Sequence, residues 1–224
     1  MIRTEEISHR FKSGFQLKPC TLEFQGGECI AVLGKNGAGK STFFQLLTGF
    51  LPPMSGKVFF NDKTMAPRNS ALRKDIGYLT QKLPLPQWST PIQLLRYVSK
   101  LHQLADSEDK IQKTLERWEC TGFQNQPIHG FSHGMKKRVG LCIATLHQPS
   151  FLILDEPYSG LDLSQNQNLS TFISERSKRS QTILLSTHII PYAAELCDRA
   201  IFIDNGKISE ISEWKNWDLS LIHI

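Results

Sequence analysis

The sequence predicts an α/β protein built on a mainly parallel sheet, with an antiparallel β edge subdomain and a helical insert. Three observations predict it. A glycine-rich turn, Gly34 to Thr42, lies between a short apolar run and a helix-forming segment. Two further apolar runs, Phe151 to Leu154 and Thr182 to Ser186, end abruptly in polar residues. Continuous apolar strands of this kind belong to parallel sheets covered on both faces. Between residues 92 and 123 the hydrophobic spacing changes to a helical period.

The 224 residues suit one domain, with core and β edge in 1–82 and 149–224 and a helical insert in 83–148. With 40% hydrophobic and 21% charged residues the composition is that of a soluble protein. No apolar run approaches the roughly 18 residues of a membrane helix, and the charged start MIRTEEISHR is no secretory signal. Cys20, Cys29, Cys120, Cys142 and Cys197 are odd in number and form no C-x-x-C pair. Reduced thiols in the cytosol are therefore expected. A formal charge of +5 mildly favours an anionic partner, and equally fits simple solubility.

Residues 1 to 28 read as edge strands, with Thr21 to Phe24 alternating before the turn at Gln25-Gly26-Gly27. Phe11 is a candidate to stack on an adenine ring, or else a core or edge aromatic. Cys29 to Leu33 is the buried strand before the loop. Ser41 to Thr48 is the helix after it, with Gly49 as its stop. Leu51 to Gly56 is turn-rich, Lys57 to Phe60 is a strand, and Asn61-Asp62 turns the chain. Ile76 to Gln81 is another short strand, whose final amide reads by itself as a surface group.

Pro84, Pro86 and Pro91 then mark a shift in composition. Leu94, Leu95, Val98, Leu101 and Leu104 form one helical stripe, and Ile111, Leu115 and Trp118 a second, both read as core. Ser132 is a good N-cap for the helix continued by Val139 to Leu146. Lys136, Lys137 and Arg138 in its first turns oppose the helix dipole. A local rule broken in this way hints at function, or at no more than a capped, solvated helix start. Ser159 to Asp162 is a polar turn. Ala200 to Asp204, Asn205-Gly206 and Lys207 to Ile211 make a hairpin. The tail from Glu213 carries Trp214 and Trp217 and is too short for another domain.

The loop Gly34-Lys35-Asn36-Gly37-Ala38-Gly39-Lys40-Ser41-Thr42 fits the phosphate-binding pattern G-x-x-x-x-G-K-[ST]. Its glycines let the backbone wrap phosphates, and the following helix N-terminus adds partial positive charge. Lys40 is placed for the terminal phosphates and the Ser41 hydroxyl for Mg²⁺. Phe151 to Leu154 delivers Asp155, suited to the Mg²⁺ shell, and Glu156, suited to deprotonate an attacking water. Thr182 to Ser186 delivers His188 at an edge where ligands bind in such sheets.

Together these motifs resemble the ATP-binding subunit of ABC transporters, a P-loop NTPase fold, over nearly the whole chain. The resemblance implies that Gln81 touches Mg²⁺ and senses a membrane subunit. Phe131 to Met135 stands for the L-S-G-G-Q signature, with Ser132 and Gly134 facing phosphate. Asp162 matches the inter-subunit loop, His188 the histidine at the γ-phosphate, and Phe11 the adenine-stacking aromatic. The signature departs from consensus at Phe131, His133 and Met135, and its S-x-G-M form looks like the type-2 ABC exporter group. The resemblance implies ATP and Mg²⁺ as ligands and a second copy, or a homologous subunit, packed head to tail. It also implies a separate integral membrane partner and a peripheral position on the cytoplasmic face. No nucleic acid is expected. A soluble ABC protein acting on DNA or ribosomes would carry tandem sites or a long coiled coil. A small-molecule kinase or GTPase would lack the Ser132 and His188 motifs, and there is no N-K-x-D motif.

Overall fold

The computed structural model describes residues 2–66, 70–177, 180–211 and 214. The chain enters as two antiparallel strands, β1 (Ile2–Arg10) and β2 (Gln16–Phe24), paired from Ile2 opposite Phe24 to Arg10 opposite Gln16. It then turns inward to β3 (Cys29–Leu33), whose five residues are all buried. α1 (Lys40–Leu47) follows, and β4 (Ser55–Phe60) and β5 (Lys63–Thr64) return to the antiparallel sheet, in the order β2-β1-β4-β5. Asn61 and Asp62 both have positive φ, 48° and 60°, as a tight hairpin turn requires.

α2 (Ser70–Arg73) and β6 (Ile76–Leu79) lead to α3 (Pro91–His102), α4 (Ser107–Arg117) and α5 (His133–Thr145). Thr90 caps α3 in a reciprocal box with Gln93, and Pro91 takes the first helical position. The chain closes with β7 (Phe151–Asp155), α6 (Leu163–Ser177), β8 (Thr182–Ser186), α7 (Ile190–Leu196) and the hairpin β9 (Arg199–Asp204) and β10 (Lys207–Ile211). The large sheet runs β10-β9-β3-β8-β7-β6, parallel except at β10.

Burial on both faces explains why its strands show no alternation. Ile30 and Val32 of β3, with Phe151 and Ile153 of β7, face a core shared with α1 and the antiparallel sheet, where Phe24, Phe43 and Phe44 pack. Cys29, Ala31 and Leu33, with Leu152 and Leu154, face a second core shared with the helices. Leu95, Ile111, Leu115 and Trp118 belong to that second core. The helical stretch is thus sealed onto the sheet, and the Trp118 Nε1–H donates to Thr145 Oγ1 at 3.0 Å. Leu101 departs from the expected stripe. It is 53% exposed, on the outward side of α3 with Tyr97.

All five cysteines are free thiols and buried; Cys29 meets Cys197, and Cys120 meets Cys142. Trp214 packs into the helical core, whereas Glu213 and Trp217 lie outside the described residues. Among the described residues no helix is long and apolar enough to cross a membrane.

Candidate functional site

The C-terminal ends of β3, β7 and β8 converge, because the three strands are parallel neighbours. β3 feeds the glycine-rich loop, which opens α1 at Gly39. Gly39 has φ 117°, and a Cβ there would lie 2.8 Å from the Phe15 ring. The backbone angle calls for glycine, and a larger residue would also push the Phe15 ring aside. Within the loop, Ala38 N–H donates to Lys35 O at 3.1 Å, and Gly206 N–H donates to Ala38 O at 3.1 Å. The β9–β10 hairpin therefore braces the loop from behind.

Lys40 is buried; its Nζ donates to Gly34 O at 2.6 Å and lies 4.0 Å from Glu156 Oε1. Ser41 Oγ donates to Asp155 Oδ2 at 2.7 Å, and Ser186 Oγ donates to Asp155 Oδ1 at 2.7 Å. The register pairs Asp155 with Ser186, so this contact follows directly from the sheet. Glu156, one residue on, has φ 50°. Its N–H donates to Ser186 Oγ at 2.9 Å, and its Oε2 lies 2.9 Å from His188 Nδ1.

These groups border one open cleft of about 510 Å³. Lys35, Asn36, Gly37, Gly39, Lys40, Ser41, Thr42, Gln81, Asp155 and Glu156 line it. Gly34 and Ala38 support the loop from within, through Gly34 O and the Ala38 backbone. His188 reaches the cleft through Glu156. Phe11 is not in the cleft wall; Phe15 is, and the two rings are 6.2 Å apart. Phe15 was legible only as a second aromatic four residues beyond Phe11.

Ser132 and Gly134 lie elsewhere. Ser132 is exposed at the start of α5 and accepts from Met135 N–H at 3.2 Å, the expected N-cap. Asp162 caps α6, accepting from Gln165 N–H and Ser164 Oγ, both at 2.9 Å. The Gln165 backbone donor, aided by the Ser164 hydroxyl, holds its carboxyl below the ordinary range. Lys137 lies early in α5 as expected, but not on a solvated helix start: it is fully buried, and its Nζ donates to Glu156 O at 3.0 Å. Burial pulls its pKa down, opposed by the charges of Asp155 and Glu156.

The arrangement suits a polyphosphate: loop N–H groups, a helix N-terminus and a lysine bind anionic oxygens. The Ser41 hydroxyl, Asp155 carboxylate and Gln81 amide are oxygen donors, which suits a hard ion such as Mg²⁺. The sequence profile of the ABC transporter family matches residues 17–159.

The chain belongs to the ABC transporter family. It is 34% identical over 218 residues to the ABC transporter ATP-binding protein YxlF of Bacillus subtilis, covering 96% of this chain and 70% of that protein. It is 32% identical over 208 residues to the lantibiotic transport ATP-binding protein SrtF of Streptococcus pyogenes, covering 93% and 89%. The solved structure of an ATP-binding subunit of an ABC transporter superposes with a TM-score of 0.88 at 26% identity, over 95% of this chain and 90% of the other. A dimeric ATP-binding cassette with ADP and Pi shares the fold, with a TM-score of 0.87 at 21% identity over 95% and 98%. This ABC protein is an ATP-binding, ATP-hydrolysing subunit.

Proposed function

We propose that the chain works as one half of a head-to-tail pair, with each ATP held between the cleft of one copy and the α5 start of the other. One observation carries this reading. The loop, Asp155 and Glu156 share a cleft, while Ser132 and the half-buried Gly134 lie outside it at the α5 N-terminus, where Ser132 is exposed. A helix N-terminus that forms no part of its own chain's cleft fits the site of a second molecule.

In this reading Lys40 neutralises the terminal phosphates, and Asn36, Gly37 and Thr42 border them. Ser41, Gln81 and Asp155 hold Mg²⁺, which when bound offsets phosphate charge. Glu156 takes a proton from water, whose oxygen attacks the γ-phosphorus as the bond to the β–γ bridging oxygen breaks, giving ADP and phosphate. His188 holds the Glu156 carboxylate in place and reaches towards the γ-phosphate. Adenine stacks at the Phe11–Phe15 pair, and Asp162 lies at the contact between copies.

The pair drives a separate integral membrane subunit and sits peripherally on the cytoplasmic face. The similarity to a lantibiotic transport ATP-binding protein supports this. The S-x-G-M form of the signature favours membership of the exporter group. The test is Glu156→Gln. ATP binding persists, turnover falls by about 10²- to 10⁴-fold, and gel filtration with ATP shows a dimer. Turnover at the wild-type rate would remove Glu156 from the role of base.

A further inference from the structure

We infer that Lys137 is a positioning residue for Glu156, fixing the base to the same helix that presents Ser132. The inference rests on the proposed roles of Glu156 and Ser132 and deepens them.

A buried ammonium is costly unless oxygen atoms receive it. A cation kept in so unfavourable a place points to a use, and its contact shows which. Lys137 Nζ donates to the main-chain carbonyl of Glu156 at 3.0 Å. Glu156 has φ 50°, a left-handed conformation that is strained for a non-glycine residue. Such strain persists only where the surroundings over-determine it. On the N-terminal side the Glu156 N–H is tied to Ser186 Oγ at 2.9 Å and Ser186 O at 3.2 Å. On the C-terminal side the carbonyl is tied to Lys137. The two ties set both peptide planes around Cα and hence the direction of the Glu156 side chain toward His188 and Lys40.

The same helix grips the chain again four residues on. A Cβ on Gly134 would come within 2.5 Å of Gly160 O, and one on Gly160 within 2.2 Å of the His133 ring. The segment 156–160 is therefore seated on α5 at both ends, by Lys137 and by the Gly134–Gly160 contact. A shift of α5 carries the base with it. In the head-to-tail pair, the triphosphate that engages Ser132 belongs to the other site. Lys137 thereby links occupancy of one site to the placement of the base in its neighbour.

The test is a double-mutant cycle on the full chain with MgATP. Lys137→Met is expected to lower kcat about tenfold or more, with the affinity for a fluorescent ATP analogue within twofold of wild type. In the Glu156→Gln background the same substitution is expected to lower the residual single-turnover rate no further. A purely structural loss would persist in that background and weaken nucleotide binding. Where Lys137→Met does not fold, Lys137→Gln, one bond too short to reach the carbonyl, replaces it in the same cycle. Wild-type kcat in the single variant, or an equal loss in both backgrounds, overturns the inference. If Glu156→Gln itself turns over normally, the role of Glu156 has failed instead, so the two failures are distinguishable.

Discussion

Two helix N-termini in this chain are finished differently. At α1 the loop closes on groups from its own chain: Lys40 to Gly34 O and Ser41 to Asp155, with Glu156 within 4.0 Å of Lys40. At α5, Ser132 caps its own helix and otherwise faces solvent, and Lys137, one turn later, points back into the core. In the proposed reading the first terminus is a ligand site with its own metal donors and base, and the second is a single wall. What separates them is the partner supplied by the sheet. α1 is joined by the glycine-rich loop to a strand whose neighbours end in Asp155 and Ser186, whereas α5 follows the turn at Ile128–Gly130 and no strand.

Removing one residue from each terminus tests that contrast. Lys40→Ala loses the charge-assisted contact of a buried lysine, so ATP affinity measured on the monomer is expected to fall about 10- to 100-fold. Ser132→Ala is expected to leave monomer affinity within twofold yet slow steady-state hydrolysis, because its phosphate contact arises only in the pair. It also loses a cap, at about 1 kcal/mol of stability, which Ser132→Asn restores. Equal loss of monomer affinity in both variants would mean that the two termini serve one cleft.

The unequal finish also governs what the sequence made legible. β3, α1 and β7 were readable because a short apolar run, a fixed glycine spacing and a polar end each have one physical meaning. The Ser132 cap was readable for the same reason. Lys137 was not, because three adjacent cations give no direction by identity. The signal lay in the period: Lys137, Leu141, Ala144 and Thr145 are all buried, so the inward stripe of α5 begins at the lysine. Leu101 failed in the opposite sense, lying on the helical period but past the edge of the contact with the core. Phe15 was missed since only a folded hairpin shows which of two nearby aromatics faces the loop. The Cys29–Cys197 contact spans 168 residues, and no local pattern encodes it.

Acid sharpens the contrast at the far end of α5. His147 follows that helix, with Nε2 3.2 Å from Ile76 O and its ring stacked on His102 at 4.0 Å between centroids. Burial, then the charge of His102, holds its pKa down to about 4, with Asp75 pulling the other way. His102 is also lowered, by burial; a hydrogen bond to the Lys74 backbone opposes this and the Lys74 charge adds to it. The unfolded chain therefore binds more protons than the native one between about pH 6.5 and 4. Stability is full above that window and is lost as pH falls through it, by at most about 3 kcal/mol from His147. Hydrogen exchange at pH 5 is expected to quicken in α3 and α5 before α1. His147→Gln is expected to flatten the decline in Tm. Uniform quickening across α1 and α5 would show that the two regions open together.

The smallest expected effect concerns Asp162, where the segment seated on α5 passes into α6. Its carboxylate accepts from Gln165 N–H and Ser164 Oγ, while Gln165 Oε1 accepts from the Asp162 N–H at 3.3 Å, a reciprocal cap. Asp162→Ala is expected to lower Tm by about 2–4 °C and Asp162→Asn by less, since asparagine caps nearly as well. The carboxyl is held below its ordinary value, so the native state binds its proton less readily than the unfolded chain. The advantage of aspartate over asparagine is present above the ordinary carboxylate pKa and disappears as pH falls through the lowered native one. If Asp162→Asn matches wild type in Tm but lowers ATP-dependent dimerisation of the Glu156→Gln background, the residue acts on the partner as well as on its own helix. Unchanged dimerisation would confine it to the cap and leave the α5 wall as the principal contact.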